Sequence, residues 1–314
     1  MRNFPPQKRR TVEENPLLIA PALKSICLLW NQWYEPKTMK KIHVAHSPDS
    51  DDAFMFYALA QHKVDAEGLE FVHVLRDIET LNREALKGTY EISAVSIHAY
   101  AYLADKYALL GSGASMGENY GPMVVAREKL NVSDLKGKRI AIPGKLTSAY
   151  LALQLLENDF EPVTMPFDHI IDSVLKKEVD AGLIIHEGQL QYQEMGLNLI
   201  VDLGKWWFEK SGLPLPLGGN AVRKDLGIEM MKKLARIQKA SIAYGLDHRD
   251  DALAHAMQYA RDLSLEKADR FVGMYVNART LDYGEDGKKA IRTFLDLAYQ
   301  KKLIPFPVSV EFID

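Results

Sequence analysis

From Lys41 onward, short β-rich runs alternate with amphipathic stretches of helical length, and this alternation limits the fold more than any other feature. Residues 42–45 form a strand that stops at Ser47-Pro48. A helix follows from near Asp51, with Phe54, Met55, Tyr57, Ala58 and Leu59 on its apolar side. A second strand over 69–75 leads to a helix over 78–86 that ends at Gly88, the residue type best able to close a helix in the left-handed conformation. A third strand over 92–97 precedes an apolar helix over 99–103. Strand-helix-strand order of this kind predicts an α/β fold with a mostly parallel sheet covered by helices on both faces.

A second α/β unit follows. Its strands are expected at 122–126, 139–142, 163–165, 181–185 and 199–203, with helices over 149–157 and 170–177. Residues 214–222 are extended and glycine-rich, and the chain after Asp225 is almost wholly helical to Lys302, with breaks expected at Gly245, Ser264 and Gly284. Two extended stretches, 122–127 and 214–223, join the units and predict two lobes with a hinge crossed twice. One lobe takes 39–126 and 224–314, the other 127–223. Between such lobes, at the carboxyl ends of strands, small ligands bind.

Residues 1–38 differ in character. Arg9 and Arg10 precede a moderately apolar stretch, 16–30, interrupted by Lys24 and lacking a small-residue cleavage pattern. Either Met39 is the start of translation or the extension is a loosely ordered arm, and the fold argument leaves it out. The net charge of -3 gives no basis for capture of nucleic acid or of an acidic membrane surface. A single cysteine, Cys27, excludes an intrachain disulfide and a multi-thiolate zinc site. These features fit a cytoplasmic protein.

Several residues could carry chemistry. His186 follows the apolar run 181–185, at the cleft-side end of a strand, where an imidazole can take a proton near neutral pH. The competing reading is a histidine bonded to backbone at a strand end. Glu187 beside it can fix the tautomer or cap the next turn. Thr147 and Ser148 precede a helix, where hydroxyls and free N–H groups suit a carboxylate or phosphate, although most such residues are ordinary caps. Ser96 ends the third strand and would face the same cleft from the other lobe. The run Ser47-Pro48-Asp49-Ser50-Asp51-Asp52 places carboxylates before a helix, with His46 alongside. Helix-start acidity explains it better than a metal site does. The stretch 111–117 has its third glycine one place too late for a dinucleotide loop and is expected to be a flexible loop near the hinge. Trp206 and Trp207 can stack on a flat substrate or seal the core.

The stretches Val-Asp-Ala-Gly-Leu-Ile-Ile-His-Glu-Gly (179–188) and Gly-Leu-Pro-Leu-Pro-Leu-Gly-Gly (212–219) resemble the 1,4-dihydroxy-6-naphthoate synthases of the futalosine route to menaquinone. The segments 142–150 and 54–59 add to the likeness, which runs from Lys41 to the C-terminus. The resemblance implies the two-lobed fold of type-II periplasmic binding proteins and a cytoplasmic carbon-carbon lyase. That enzyme converts cyclic dehypoxanthinyl futalosine to 1,4-dihydroxy-6-naphthoate without cofactor or metal. It further implies His186 as general base and Ala94, Val95, Ser96, Thr147 and Ser148 as substrate contacts, with Ser47, Asp51, His46 and Glu187 as further candidates. The expected partner is a small anionic substrate, with no nucleic acid and no membrane; the oligomeric state is left open. The chain departs from the family at 47–52, where Ser-Pro-Asp-Ser-Asp-Asp stands for the family's Ser-Pro-Cys-Pro-Asn-Asp. The alternative readings are a solute-binding protein for a carboxylate or aromatic precursor and a chorismate dehydratase-like member.

Overall fold

The computed structural model describes residues 39–259 and 264–314, so the expectation for 1–38 lies outside the described residues. The chain opens with β1 (Lys40–His46), a short helix α1 (Ser50–Met55) and its continuation α2 (Tyr57–Ala60), then β2 (Leu69–Leu75). Helix α3 (Ile78–Lys87) starts where the Asp77 carboxylate accepts the Thr80 N–H and stops at Gly88, whose φ of 74° is left-handed as expected. Next come β3 (Ile92–Ser96), α4 (Ile97–Tyr100), β4 (Tyr107–Leu110) and β5 (Ser115–Gly117). The second unit comprises β6 (Met123–Ala126), β7 (Arg139–Ile142), α5 (Ser148–Leu156), β8 (Glu161–Thr164), α6 (Ile170–Leu175), β9 (Ala181–Ile184), β10 (Asn198–Asp202) and α7 (Leu203–Ser211). The chain then returns through β11 (Leu215–Arg223) to α8 (Ile228–Asp247), α9 (Arg249–Ala256), α10 (Leu265–Tyr275), α11 (Ala278–Leu281), α12 (Gly284–Gln300) and β12 (Phe312–Ile313).

These strands build two sheets. One has seven strands in the order β12-β4-β11-β3-β1-β2, with β5 beside β11; the other has five, in the order β10-β6-β9-β7-β8. The chain leaves the first sheet after β5 and returns to it at β11, crossing at 118–122 and at 212–214, just ahead of the two extended stretches. The sheets are more mixed than the strand-helix alternation predicts. Strand β11 runs antiparallel to β3, β4 and β5, and β6 runs antiparallel to β9 and β10. Parallel neighbours such as β1–β3, β7–β8 and β7–β9 are joined through intervening elements, whereas β6 and β11 arrive from the other sheet.

Two local expectations are corrected. Gly245 does not break α8, which runs through it; a Cβ there would lie 3.3 Å from the Phe54 carbonyl oxygen, so the glycine lets α8 press against α1. The glycine-rich stretch 111–117 ends in a strand, β5, held by β11. The segment after β10 is helical, and Asp202 caps it by accepting the N–H groups of Gly204 and Lys205. This helix turns Trp207 inward, where its Nε1 donates to the Pro214 carbonyl at 3.1 Å and its ring meets Phe294 edge-on. Trp207 therefore seals the core, while Trp206 lies partly open beneath Lys210. The breaks at Ser264 and Gly284 fall where expected, at the starts of α10 and α12. No helix of the described residues is long and apolar enough to cross a membrane.

Candidate active site

A cleft of about 820 Å³, open solvent included, lies where the two sheets face each other. Its first-sheet wall carries Ser47, Asp49, Asp51 and Asp52 from the β1–α1 loop, Ala94, Val95 and Ser96 at the end of β3, and Gly218 to Asn220 of β11. The second-sheet wall contributes Thr147, Ser148, Ala149 and Ile185. Seven of the residues singled out in the sequence thus meet in one place: Ser47, Asp51, Ala94, Val95, Ser96, Thr147 and Ser148.

Register explains the first wall. Strand β11 pairs with β3 so that Gly218 opposes Ser96 and Asn220 opposes Ala94, placing all four on one face. Two of the four carry no more than a methyl group, which leaves a flat shelf beside the Ser96 hydroxyl. Ser96 is held by Asn82 of α3, whose Oδ1 accepts the Ser96 N–H at 2.8 Å and whose Nδ2 donates to Ser96 Oγ at 3.0 Å. Asn82 is fully buried and was missed in the sequence, because an asparagine on an amphipathic helix resembles any polar position.

Thr147 is the cap of α5: its Oγ1 accepts the Tyr150 N–H and donates to the Gly144 carbonyl. The Ser148 hydroxyl spans the walls, donating to the Leu217 carbonyl at 2.5 Å and accepting the His98 N–H at 3.1 Å. Glu79 of α3 accepts the Leu146 N–H at 3.1 Å, adding a second tie between the walls.

The β1–α1 loop is unusual electrostatically. Asp52 is buried and accepts the Ser47 N–H at 2.6 Å; burial, helped by the Asp49 charge, pushes its carboxyl up to about 7 against that hydrogen bond. Asp51 keeps some surface open to the cleft but is enclosed by protein. Burial and the neighbouring Asp52, Asp49 and Glu187 carboxylates raise it well above the usual range. The wall is therefore less negative near neutral pH than its residue types suggest. Among the described residues no lysine or arginine lines the cleft, so an anionic ligand would be held by hydroxyl and N–H donors. The described residues include no group of three or more His, Cys, Asp or Glu side chains that could hold a metal ion.

Three candidates do not line the cleft. His46 points into the core, stacked on Phe56 with centroids 4.4 Å apart, its Nε2 3.1 Å from His73 Nδ1; burial and the His73 charge lower it to about 3, so it cannot serve as an acid or base near neutral pH. His186 follows Ile185 at the rim, with 15% of its side chain exposed. Its Nδ1 accepts the Gly188 N–H at 3.0 Å, which leaves Nε2 as the protonated nitrogen, 3.2 Å from the Phe167 carbonyl. Glu187 is buried and accepts a hydrogen bond from Ser50 Oγ, 3.3 Å away at the start of α1.

Two sheets flanked by helices, with a cleft between them, give the fold of the periplasmic binding proteins. The same fold occurs in an alkanesulfonate-binding protein from Xanthomonas axonopodis pv. citri, bound to MOPS, with a TM-score of 0.65 at 15% identity over 86% of this chain and 96% of that one. A crystal structure of a protein from Archaeoglobus fulgidus is more similar, with a TM-score of 0.81 and 52% identity over 84% of this chain and 98% of that chain. Residues 42–300 match the family described as menaquinone biosynthesis, and the chain belongs to that family. A relative from Thermus thermophilus, named 1,4-dihydroxy-6-naphtoate synthase, is 42% identical over 86% of this chain and 98% of its own length.

Proposed function

We propose that this protein is a 1,4-dihydroxy-6-naphthoate synthase, a carbon-carbon lyase that opens cyclic dehypoxanthinyl futalosine on the way to menaquinone. The observation that carries the reading is the meeting of 94–96 and 147–148 on opposite walls of one cleft, in a chain 42% identical to a synthase of that name. The chemistry needs a base to take a proton from the sugar-derived ring, after which bond cleavage leads to an aromatic product. Aromatisation makes the later steps favourable, and enclosure keeps water from a carbanion-like intermediate. Such an elimination is redox-neutral and calls for no cofactor.

In this reading His186 is the general base. Its two ring nitrogens now face backbone groups, so substrate binding has to displace one of those contacts and free a lone pair. The Ser96 hydroxyl and the N–H groups at the start of α5 donate to the carboxylate of the substrate. Thr147 and Ser148, whose hydroxyl protons go to the Gly144 and Leu217 carbonyls, accept from its hydroxyl groups, and the flat shelf at Ala94 and Gly218 takes its ring. The same reading places the protein in the cytoplasm, acting on a small anionic substrate, with neither nucleic acid nor membrane as a partner.

The test is to incubate the purified protein with cyclic dehypoxanthinyl futalosine and follow dihydroxynaphthoate by mass. A folded preparation that yields none sinks the assignment. His186→Ala should lower kcat at least about a hundredfold while leaving substrate binding within about an order of magnitude. An unchanged kcat makes His186 a structural residue.

A further inference from the structure

The turn that follows His186 belongs by chain connection to the second sheet, yet two side chains from the first-sheet side of the cleft hold it. Ser50 Oγ, at the start of α1, donates to Glu187 Oε1 at 3.3 Å. The Tyr275 hydroxyl, from the last residue of α10, donates to Gln189 Oε1 at 3.0 Å. All four residues are buried, with Ser50 fully so and Tyr275 at 4% exposure. Between the two anchored residues sits Gly188, whose N–H donates to His186 Nδ1 and whose Cα has no room for a side chain: a Cβ there would lie 2.6 Å from Ile171 Cδ1 and 2.8 Å from His186 Cε1. The turn and the imidazole are packed as one unit.

We propose that Ser50 and Tyr275 are positioning residues that latch the 187–190 turn across the cleft, so that closure and the setting of the His186 ring are one event. When the lobes separate, both donors leave the turn. Glu187 and Gln189 then lose these two donors from the other side, and the Gly188 N–H loses its fixed direction towards His186. When the lobes close, the two anchors restore the turn and with it the ring plane and tautomer of His186. The anchors lie at opposite ends of the turn, and each is a buried hydrogen bond, so removal of either leaves an acceptor to find another partner. Ser50 does not line the cleft, so its effect on catalysis passes through the turn, whereas Tyr275 also lines the cleft, so the kinetic part of the test rests on Ser50.

This inference rests on His186 being the base, and the experiment separates the two. Amide hydrogen exchange over 186–190 is measured by mass spectrometry in the unliganded full chain, for the parent protein, Ser50→Ala, Tyr275→Phe and Glu187→Gln. Melting curves confirm that each variant is folded. Ser50→Ala and Tyr275→Phe should each speed exchange in this segment about fivefold or more, with little change elsewhere, and lower kcat/KM for cyclic dehypoxanthinyl futalosine about tenfold. Glu187→Gln retains the acceptor for Ser50 and should keep exchange within about twofold of the parent. Unchanged exchange in both donor variants overturns the latch. Faster exchange with unchanged kcat/KM in Ser50→Ala overturns its role in setting the base. If the parent protein shows no turnover, the exchange data still decide whether the latch exists, while the lyase reading fails on its own.

Discussion

Replacing Asp52 by asparagine should stabilise this protein more at pH 8 than at pH 5, and the size of the difference follows from the burial of one carboxyl. Asp52 sits at about 7 in the folded chain against 3.8 as its ordinary value, chiefly because burial disfavours its charge. A carboxyl raised in this way binds its proton in the folded state while the unfolded state has lost it. Its contribution is fully present below about pH 4 and is lost as pH rises through 7. Between pH 5 and pH 7 that contribution falls steadily, by about 3 kcal/mol in all, and it levels off above. Asparagine has nearly the same shape, can still accept the Ser47 N–H, and does not titrate. The stability of Asp52→Asn relative to the parent should therefore grow by about 3 kcal/mol from pH 5 to pH 8, or roughly 5–10 °C in melting temperature for a chain of this size.

The comparison has to be made as a difference. Burial holds His46 near 3, and His73 and His98 near 4. Histidines depressed in this way stabilise the fold above about 6.5 and withdraw that stability as pH falls, which opposes the Asp52 slope in the parent. They are common to both proteins and cancel in the difference, whereas Asp51, which the Asp52 charge raises, is relieved by the asparagine and widens the gap in the same direction. Thermal melts of both proteins at pH 5, 6, 7 and 8 provide the measurement. A gap that is constant with pH, or that shrinks as pH rises, refutes the argument that Asp52 is held protonated by burial.

Two further substitutions test the framework around the cleft. Gly204→Ala places a Cβ 1.8 Å from the Tyr120 carbonyl oxygen, at the first crossing between the sheets. It should cost about 3 kcal/mol, read as a lower denaturation midpoint, and an unchanged midpoint means that the crossing yields easily. Asn82→Ala leaves the buried Ser96 N–H without its acceptor. It should cost about 1–3 kcal/mol and raise KM several-fold, and a normal KM would remove Ser96 from substrate binding.

Where the sequence was informative, it was so through local physics. Gly88, Thr147 and Ser264 mark helix ends because a left-handed residue or a short side-chain acceptor acts within a few positions of itself. Strands β2 and β7 match their expected bounds, and β1 and β3 lie close to theirs. The short strands β4, β5 and β12 escaped notice because each is held by β11 or β4 from far along the chain, with little pattern of its own. Gly245 misled for a related reason. A glycine that admits a neighbouring helix and a glycine that ends its own helix look alike until the neighbour is in place.

The site divides along the same line. The amino-acid sequence alone was enough to nominate Ser96, Thr147, Ser148 and the 47–52 loop, because they stand at strand ends and helix starts, where an α/β chain presents groups to ligands. Tertiary structure decided which nominations share a cavity, and it removed His46, whose strand-end position is offset by the stacked Phe56 ring and the His73 contact beside it. It also decided the charge state of Asp51 and Asp52, since a carboxyl's proton depends on burial and on neighbours brought in from distant segments. The partners of Glu187 and Gln189 were likewise invisible, being 137 and 86 residues away along the chain. Short-range geometry is written residue by residue, whereas burial and long-range pairing exist only once the two sheets have come together.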